Sequence, residues 1–304
     1  MWRWNRLLTT DRLRCSYFLR SRFHFLGCSA MTLVVFDMDR TLLNAQSQIS
    51  AYTQDTLRMM RREGIDYTIA TGRTLQAALQ PLDDNGFDRS MVLKNGAVIW
   101  EPSLGSYSHH HLLTPSEVNN VIGIFTQSLL TPFVFTLEQG VRHAVYHAPL
   151  KEGYETKLAH LFEKERELPL QRIEEMPQDA HVINVSAMGT QDAVNCVVDF
   201  VAHHPHLVAY SGIALKEQGL AWLDVHHSEG SKGNGVSHVA KRAGYTEIIA
   251  FGDGDNDLSL FEVATEAYAV ENADDELKEI ATEIIGHHDE DGVAQFLRKR
   301  FNLS

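Results

Sequence analysis

From Met31 onward, short runs of β-branched and aromatic residues alternate with segments whose apolar positions recur every three or four residues. Leu33-Val-Val-Phe36, Ile65 to Ala70, Met91-Val-Leu93, Ile248-Ile-Ala-Phe251 and Ala267 to Val270 read as strands. Between them, helical spacing predicts helices from Ser50 to Gly64, with Leu57 and Met60 on one face, and near Leu75 to Leu82, Leu258 to Val263, Asp274 to Thr282 and Gly292 to Arg298. Strands that alternate with helices predict an α/β fold with a parallel, Rossmann-like sheet.

The middle of the chain follows a different rule. Thr114-Pro-Ser-Glu117 is a capping box with proline at the first helical position, and Val118, Val121, Ile122, Phe125 and Leu129 follow at helical spacing. Strands are predicted at Phe133 to Leu137 and Val141 to Tyr146, separated by Gln139-Gly140, then at His181 to Ala187, Leu207 to Tyr210 and Trp222 to Val225. Helices are predicted near Tyr154 to Glu165 and Gln191 to Ala202. Neighbouring strands joined by a tight turn read as a separate α+β layer. The expected organisation is a core made of residues 31–111 and 212–304, with an α+β cap, 112–211, inserted in it.

Composition narrows the possibilities. With 304 residues, 44% of them hydrophobic and 22% charged, the chain can bury one large core or two smaller ones. A formal charge of −13 argues against a general affinity for nucleic acid or anionic membrane, so an anionic substrate needs local positive charge. Cys15, Cys28 and Cys196 are too few and too scattered for a disulfide framework, and a reduced, cytoplasmic protein is expected, either monomer or homodimer. No apolar run reaches the roughly 18 residues that a membrane span needs. The first thirty residues carry six arginines and a single acid. Arg-rich, acid-poor composition also fits a transit peptide, but Met31 directly precedes a strong strand, so we read residues 1–30 as an appended segment translated from an upstream start and exclude it from the chemistry.

Four segments combine turn residues with functional side chains next to a predicted strand end or helix start: Asp37-Met-Asp-Arg-Thr41, Thr71-Gly-Arg73, Ser231-Lys-Gly233 and Gly252-Asp-Gly-Asp-Asn-Asp257. Ligands of open α/β sheets bind in that position. In this order, and together with Lys94-Asn-Gly-Ala97, the Ala-Val-Glu-Asn-Ala run ending at Ala273 and the Glu-Asp-Gly-Val-Ala run ending at Ala294, the segments resemble the haloacid dehalogenase (HAD) superfamily. More narrowly they resemble its Cof-type branch, which carries a type IIB cap. The resemblance spans Met31 to about Gly292.

The resemblance implies a phosphatase of small phosphorylated metabolites, sugar phosphates foremost, working through an aspartyl-phosphate. It implies Asp37 as nucleophile, Asp39 as general acid and base, and Thr71 and Lys232 as holders of the phosphoryl oxygens. Met38, Gly72, Arg73, Asn95, Gly96 and Asn256 are implied as substrate contacts. Asp37, Asp39, Asp253 and Asp257 are implied as metal ligands, Asp39 through its backbone carbonyl. The residue chemistry agrees: several carboxylates at one strand-end crevice repel one another unless a cation neutralises them. Hard oxygen donors without nearby His or Cys select Mg²⁺. Position 40 departs from the family, with arginine where glycine is usual, and we expect that guanidinium to face solvent.

The spacing of the motifs accommodates the inserted cap, since 34 residues separate Asp37 from Thr71 but 161 separate Thr71 from Lys232. A cap of this kind closes over the core site and carries specificity. A phosphomutase on a sugar phosphate, or a non-catalytic phospho-ligand regulator, remains an alternative. The regulator is disfavoured because both Asp37 and Asp39 are present. His109-His-His111, His226-His227 and His287-His288 are not read as metal sites, since consecutive side chains in a loop seldom converge on one ion. Cys196 is expected to be a packed, inert thiol.

Overall fold

The computed structural model describes residues 31–304 except 83–84, 139–141, 152, 166–167 and 216–217, so the reading of residues 1–30 lies outside it. The chain starts with β1 (Thr32–Phe36), α1 (Ala51–Arg62), β2 (Asp66–Ile69), α2 (Leu75–Leu82) and an antiparallel trio, β3 (Met91–Leu93), β4 (Val98–Glu101) and β5 (Ser106–His110). A second layer follows: α3 (Pro115–Gln127), β6 (Phe133–Glu138), β7 (Arg142–His147), α4 (Tyr154–His160), β8 (Leu170–Arg172), β9 (His181–Thr190), α5 (Gln191–Val201), β10 (Leu207–Leu215) and β11 (Leu220–His227). The chain then returns through α6 (Lys232–Ala243), β12 (Glu247–Gly252), α7 (Leu258–Val263), β13 (Glu266–Val270), α8 (Asp275–Ile280), β14 (Glu283–Ile285) and α9 (Gly292–Phe301).

The core sheet is parallel, in the order β14-β13-β12-β1-β2. Helices cover both its faces, so an interior strand must be apolar throughout. Leu33, Val34, Val35 and Phe36 are accordingly all fully buried, each contributing roughly 1.5–3 kcal/mol relative to exposure. Phe36 lies opposite Phe251 in β12 and opposite Ile69 in β2. That register makes Asp37, Thr71 and Asp253 leave the sheet at one level, with Asp37 N–H donating to Phe251 O at 2.9 Å and Ala70 N–H to Phe36 O at 2.9 Å.

The inserted layer is a six-stranded sheet in the order β10-β11-β9-β6-β7-β8, antiparallel except for β7 with β8. The Thr114 cap forms as its sequence dictates, with Thr114 Oγ1 accepting from Glu117 N–H and Glu117 returning the bond to Thr114 N–H. Val121 and Phe125 of α3, with Val194 and Val197 of α5, bury against Val185, Leu223 and Val225 on one face of this sheet. Ser211, where the cap was expected to end, lies inside β10, and the antiparallel sheet runs on to His227. The reason is pairing: β11 lies between β9 and β10, so Trp222 to Val225, read with the α+β layer but left outside its bounds, belongs to the cap sheet. His109 and His110, expected in a loop, lie in β5, paired with β4. Cys196, expected to be packed, is exposed on α5. Among the described residues no helix is long and apolar enough to cross a membrane.

Candidate active site

Asp37, Asp253 and Asp257 come together in a buried cluster, one oxygen of each lying within 4.8 Å of the others. Asp37 follows β1, while Asp253 and Asp257 follow β12, where a tight turn folds the second back on the first. Asp257 Oδ2 accepts from the Asp253 and Gly254 N–H groups at 3.0 and 3.2 Å. Lys232, the first residue of α6 and fully buried, places Nζ 2.6 Å from Asp37 Oδ1 and 2.6 Å from Asp257 Oδ1.

Three buried carboxylates face one ammonium, and the electrostatics follow from that surplus. Burial opposes the charge on Lys232, but Asp257 and Asp37 outweigh it and raise its pKa. Asp37 is pushed well above the ordinary carboxylate range, first by burial and then by Asp257 and Asp253, against the pull of Lys232. Asp253 rises to about 6 by burial and the proximity of Asp257, although Arg40, Lys232 and the Thr41 hydroxyl draw it down. A cluster that resists its own negative charge is suited to a divalent cation, and an all-oxygen donor set matches Mg²⁺.

Other expected site residues take definite places. The Asp39 side chain turns away from the cluster and is half exposed, gripped by Arg73 through Nε to Oδ2 at 2.8 Å and Nη2 to Oδ1 at 2.5 Å. Arg73 is thus engaged by a protein carboxylate, and the Asp39 side chain is held outside the cluster. Thr71 is fully buried just beyond β2, its hydroxyl accepting from Arg73 N–H at 3.3 Å. Asn95 N–H donates to Thr71 O at 2.9 Å, and Asn256 Nδ2 donates to Asn95 Oδ1 at 3.1 Å, linking three of the motif loops. Gly72 packs against the Asn95 side chain. Met38 buries its side chain completely in the core, leaving its main chain alone available to a substrate.

Gly96 has φ +95° and passes so close to α6 that a Cβ there would stand 2.0 Å from Ser231 O. Only glycine permits both conditions, and the contact fixes the start of the helix that carries Lys232. Arg40 adopts φ 58°, in the left-handed region. Its guanidinium, expected in solvent, is half exposed yet 3.2 Å from Asp253 Oδ2, and it donates to Asn272 O at 3.0 Å. Asn272 Nδ2 completes the exchange with a 2.8 Å bond to Arg40 O.

Several residues around the crevice are not among those the sequence analysis singled out. Thr41 Oγ1 donates to Asp253 Oδ1 at 3.2 Å, and its place in the first motif was the available signal. Tyr210, from β10, feels the charges of Lys232, Asp255 and Asp257, although burial is the main cause of its rise to about 12. Directly across from it in the sheet is Asp224, which accepts hydrogen bonds from Ser186 and, at 3.3 Å, from Asn184. Lys94 Nζ lies 3.9 Å from Asp224 Oδ2 and 4.3 Å from the Phe135 ring centroid. His226 is wholly buried with no hydrogen-bond partner on either ring nitrogen, and burial lowers it to about 4. Polar residues alternating with apolar ones on a strand read as a solvated face, and here that face is turned to the core.

The sequence profile of the haloacid dehalogenase-like hydrolases matches residues 34–297. The chain is 29% identical to the 5-amino-6-(5-phospho-D-ribitylamino)uracil phosphatase YwtE of Bacillus subtilis, over 88% of its own length and 97% of the relative's. It is 26% identical to the pyridoxal phosphate phosphatase YbhA of Escherichia coli, over 87% and 97%. In fold it resembles the phosphatase BT1666 of Bacteroides thetaiotaomicron, with a TM-score of 0.73, 22% identity and coverage of 93% and 99%. It also resembles the HAD subclass IIB sugar phosphatase BT4131, with a TM-score of 0.71, 22% identity and coverage of 89% and 99%.

Proposed function

The chain belongs to the haloacid dehalogenase-like hydrolases, and on that premise we propose that it is a Mg²⁺-dependent phosphatase of small phosphorylated metabolites, sugar phosphates first among them. The observation that carries this reading is the buried cluster of Asp37, Asp253 and Asp257 with Lys232 between two of its carboxylates. A nucleophile, oxygen donors for a cation and a fixed ammonium for the phosphoryl oxygens meet at the carboxyl ends of adjacent parallel strands.

Asp37 attacks the phosphorus, an aspartyl-phosphate bond forms, and the ester oxygen leaves with a proton from Asp39. Asp39, now a carboxylate, takes a proton from water. The hydroxide attacks the phosphorus of the aspartyl-phosphate, releasing inorganic phosphate and restoring Asp37. In this structure Arg73 grips both Asp39 oxygens and holds the carboxyl outside the cluster, so the acid–base role requires Asp39 to leave that grip and turn toward the leaving oxygen. Lys232 stabilises charge on the equatorial oxygens, and it lies buried where water cannot screen it. Asp37, Asp253, Asp257 and the Asp39 main chain would hold Mg²⁺, which would supply Lewis-acid neutralisation of the phosphoryl group.

For the leaving group, the cap turns Tyr210, Asp224, Asn184, Ser186 and His226 toward the core. These side chains offer both donors and acceptors, which suits a polyhydroxylated or heteroatom-rich metabolite better than an apolar one. Likeness to relatives named for a ribitylaminouracil phosphate and for pyridoxal phosphate supports the same size class. The test is phosphate release from a panel of sugar phosphates, nucleotides and pyridoxal phosphate, with Mg²⁺ and with a chelator. Metal-dependent release on a narrow subset, abolished by Asp37→Asn in a folded protein, is expected. Isomerisation without phosphate release, or activity retained in Asp37→Asn, overturns the proposal.

A further inference from the structure

The chain crosses between the core and cap sheets twice, after β5 and after β11, and a set of histidines gathers where the crossings meet. His111 lies just beyond β5 on the way out, His227 ends β11 on the way back, and Glu229 follows it. One potential ligand atom from each of these three residues lies within 4.8 Å of the other two. His111 Nδ1 is already 3.6 Å from Glu229 Oε2. Ligand atoms around a tetrahedral zinc stand roughly 3.3 Å apart, so a small contraction suffices. Glu229, whose side chain is 69% exposed, is free to make it.

The surroundings have the character of ligand support. The other ring nitrogen of His111, Nε2, is 3.0 Å from His109 Nε2, so one imidazole donates to the other. The His109 ring in turn stacks on His238 of α6 at 4.2 Å. A ligating histidine characteristically donates its second ring N–H to such a partner, which sets tautomer and orientation. The Glu229 N–H donates to His227 Nδ1 at 3.2 Å, which leaves the ring proton on Nε2, so ligation by His227 requires that bond to open or the tautomer to change. His109 and His111 approach each other across the end of β5, and elsewhere the consecutive pair His287 and His288 does gather with Asp289, against the expectation from the sequence.

We propose that His111, His227 and Glu229 form a second metal site, distinct from the carboxylate crevice, that takes a borderline divalent cation of the zinc class. Two imidazoles and one carboxylate select Zn²⁺, Ni²⁺ or Cu²⁺ over Mg²⁺, whose preference is for oxygen. An ion held there bridges both crossings and ties them together immediately before α6, the helix that begins with Lys232.

The test is a calorimetric Zn²⁺ titration of the full chain with Mg²⁺ in large excess to occupy the carboxylate crevice. One Zn²⁺ per chain is expected. Binding should weaken at least tenfold in Glu229→Gln, disappear in the double variant His111→Ala with His227→Ala, and weaken ten- to a hundredfold in His109→Ala. Melting curves in chelator establish that each variant is folded. The exposed Glu229 side chain makes Glu229→Gln decisive even if the double variant does not fold. Absence of Zn²⁺ binding by the full chain, or equal affinity in Glu229→Gln, overturns the proposal without bearing on the phosphatase reading.

Discussion

Lys232→Met removes the one charge that separates two buried carboxylates and keeps nearly all of the side chain's volume. Asp37 and Asp257 then face each other within 4.8 Å, and at an effective dielectric near 20 their repulsion is at least about 3.5 kcal/mol. Breaking a buried pair by deleting one partner costs about 3–5 kcal/mol, so the two figures agree. For a chain of this size that corresponds to a melting temperature lower by roughly 10 °C. The assay is thermal and urea unfolding in chelator at pH 7.5, for both proteins. The deficit should shrink as pH falls. The folded-state pKa of Asp37 already lies above its unfolded value, so its burial cost is present above the folded pKa and is lost as pH falls toward the unfolded one. Mg²⁺ should restore part of the stability and none of the turnover. Equal stability of the two proteins, within about 1 kcal/mol at pH 7.5 in chelator, would refute the reasoning.

Asp253, at about 6 in the folded protein, predicts that the metal-free chain gains stability as pH falls from 7 toward 4. The rise in melting temperature on adding Mg²⁺ should correspondingly shrink below pH 6, since protons and cation compete for one carboxylate. Gly96→Ala, which drives a Cβ into Ser231 O, should cost about 3 kcal/mol or more in urea unfolding and lower kcat by displacing the start of α6. Arg73→Ala frees Asp39 from its pose outside the cluster, so kcat should change by no more than about tenfold, against the 10²–10⁴ expected for losing an acid–base group, with little change in melting temperature. Arg40→Gly relieves a left-handed arginine and removes a cation from Asp253, so Mg²⁺ titration should show tighter binding.

The core was legible because its strands are buried on both faces. Leu33 to Phe36 and Ile248 to Phe251 have no room for polar residues, and an apolar run of that length followed by Asp or Gly marks a strand end directly. The chemistry was legible for a related reason: a parallel register puts all such ends on one edge, so residues far apart in sequence meet without further information. The cap boundary was not. Nothing within Trp222 to Val225 says whether its neighbour is β9 or β12, since pairing partners belong to the sheet and not to the strand. The orientation of Asp39 was equally hidden, because it depends on Arg73 arriving from another loop. Ser106 to His110 has no apolar alternation to announce a strand, and so the approach of His109 to His111 could not be seen.

The place of β1 in the sheet bears on how the protein is made. Its partner β12 is encoded some 215 residues later, as the bond from Met31 N to Thr246 Oγ1 measures. At a ribosomal rate of about 5–20 residues per second, Asp37 emerges roughly ten to forty seconds before the strand that flanks it. The intervening time suffices for the cap sheet, whose hairpins are local, to form first. The carboxylates are therefore brought together only after Lys232 has been synthesised, and a nascent chain never holds them buried without their counter-charge.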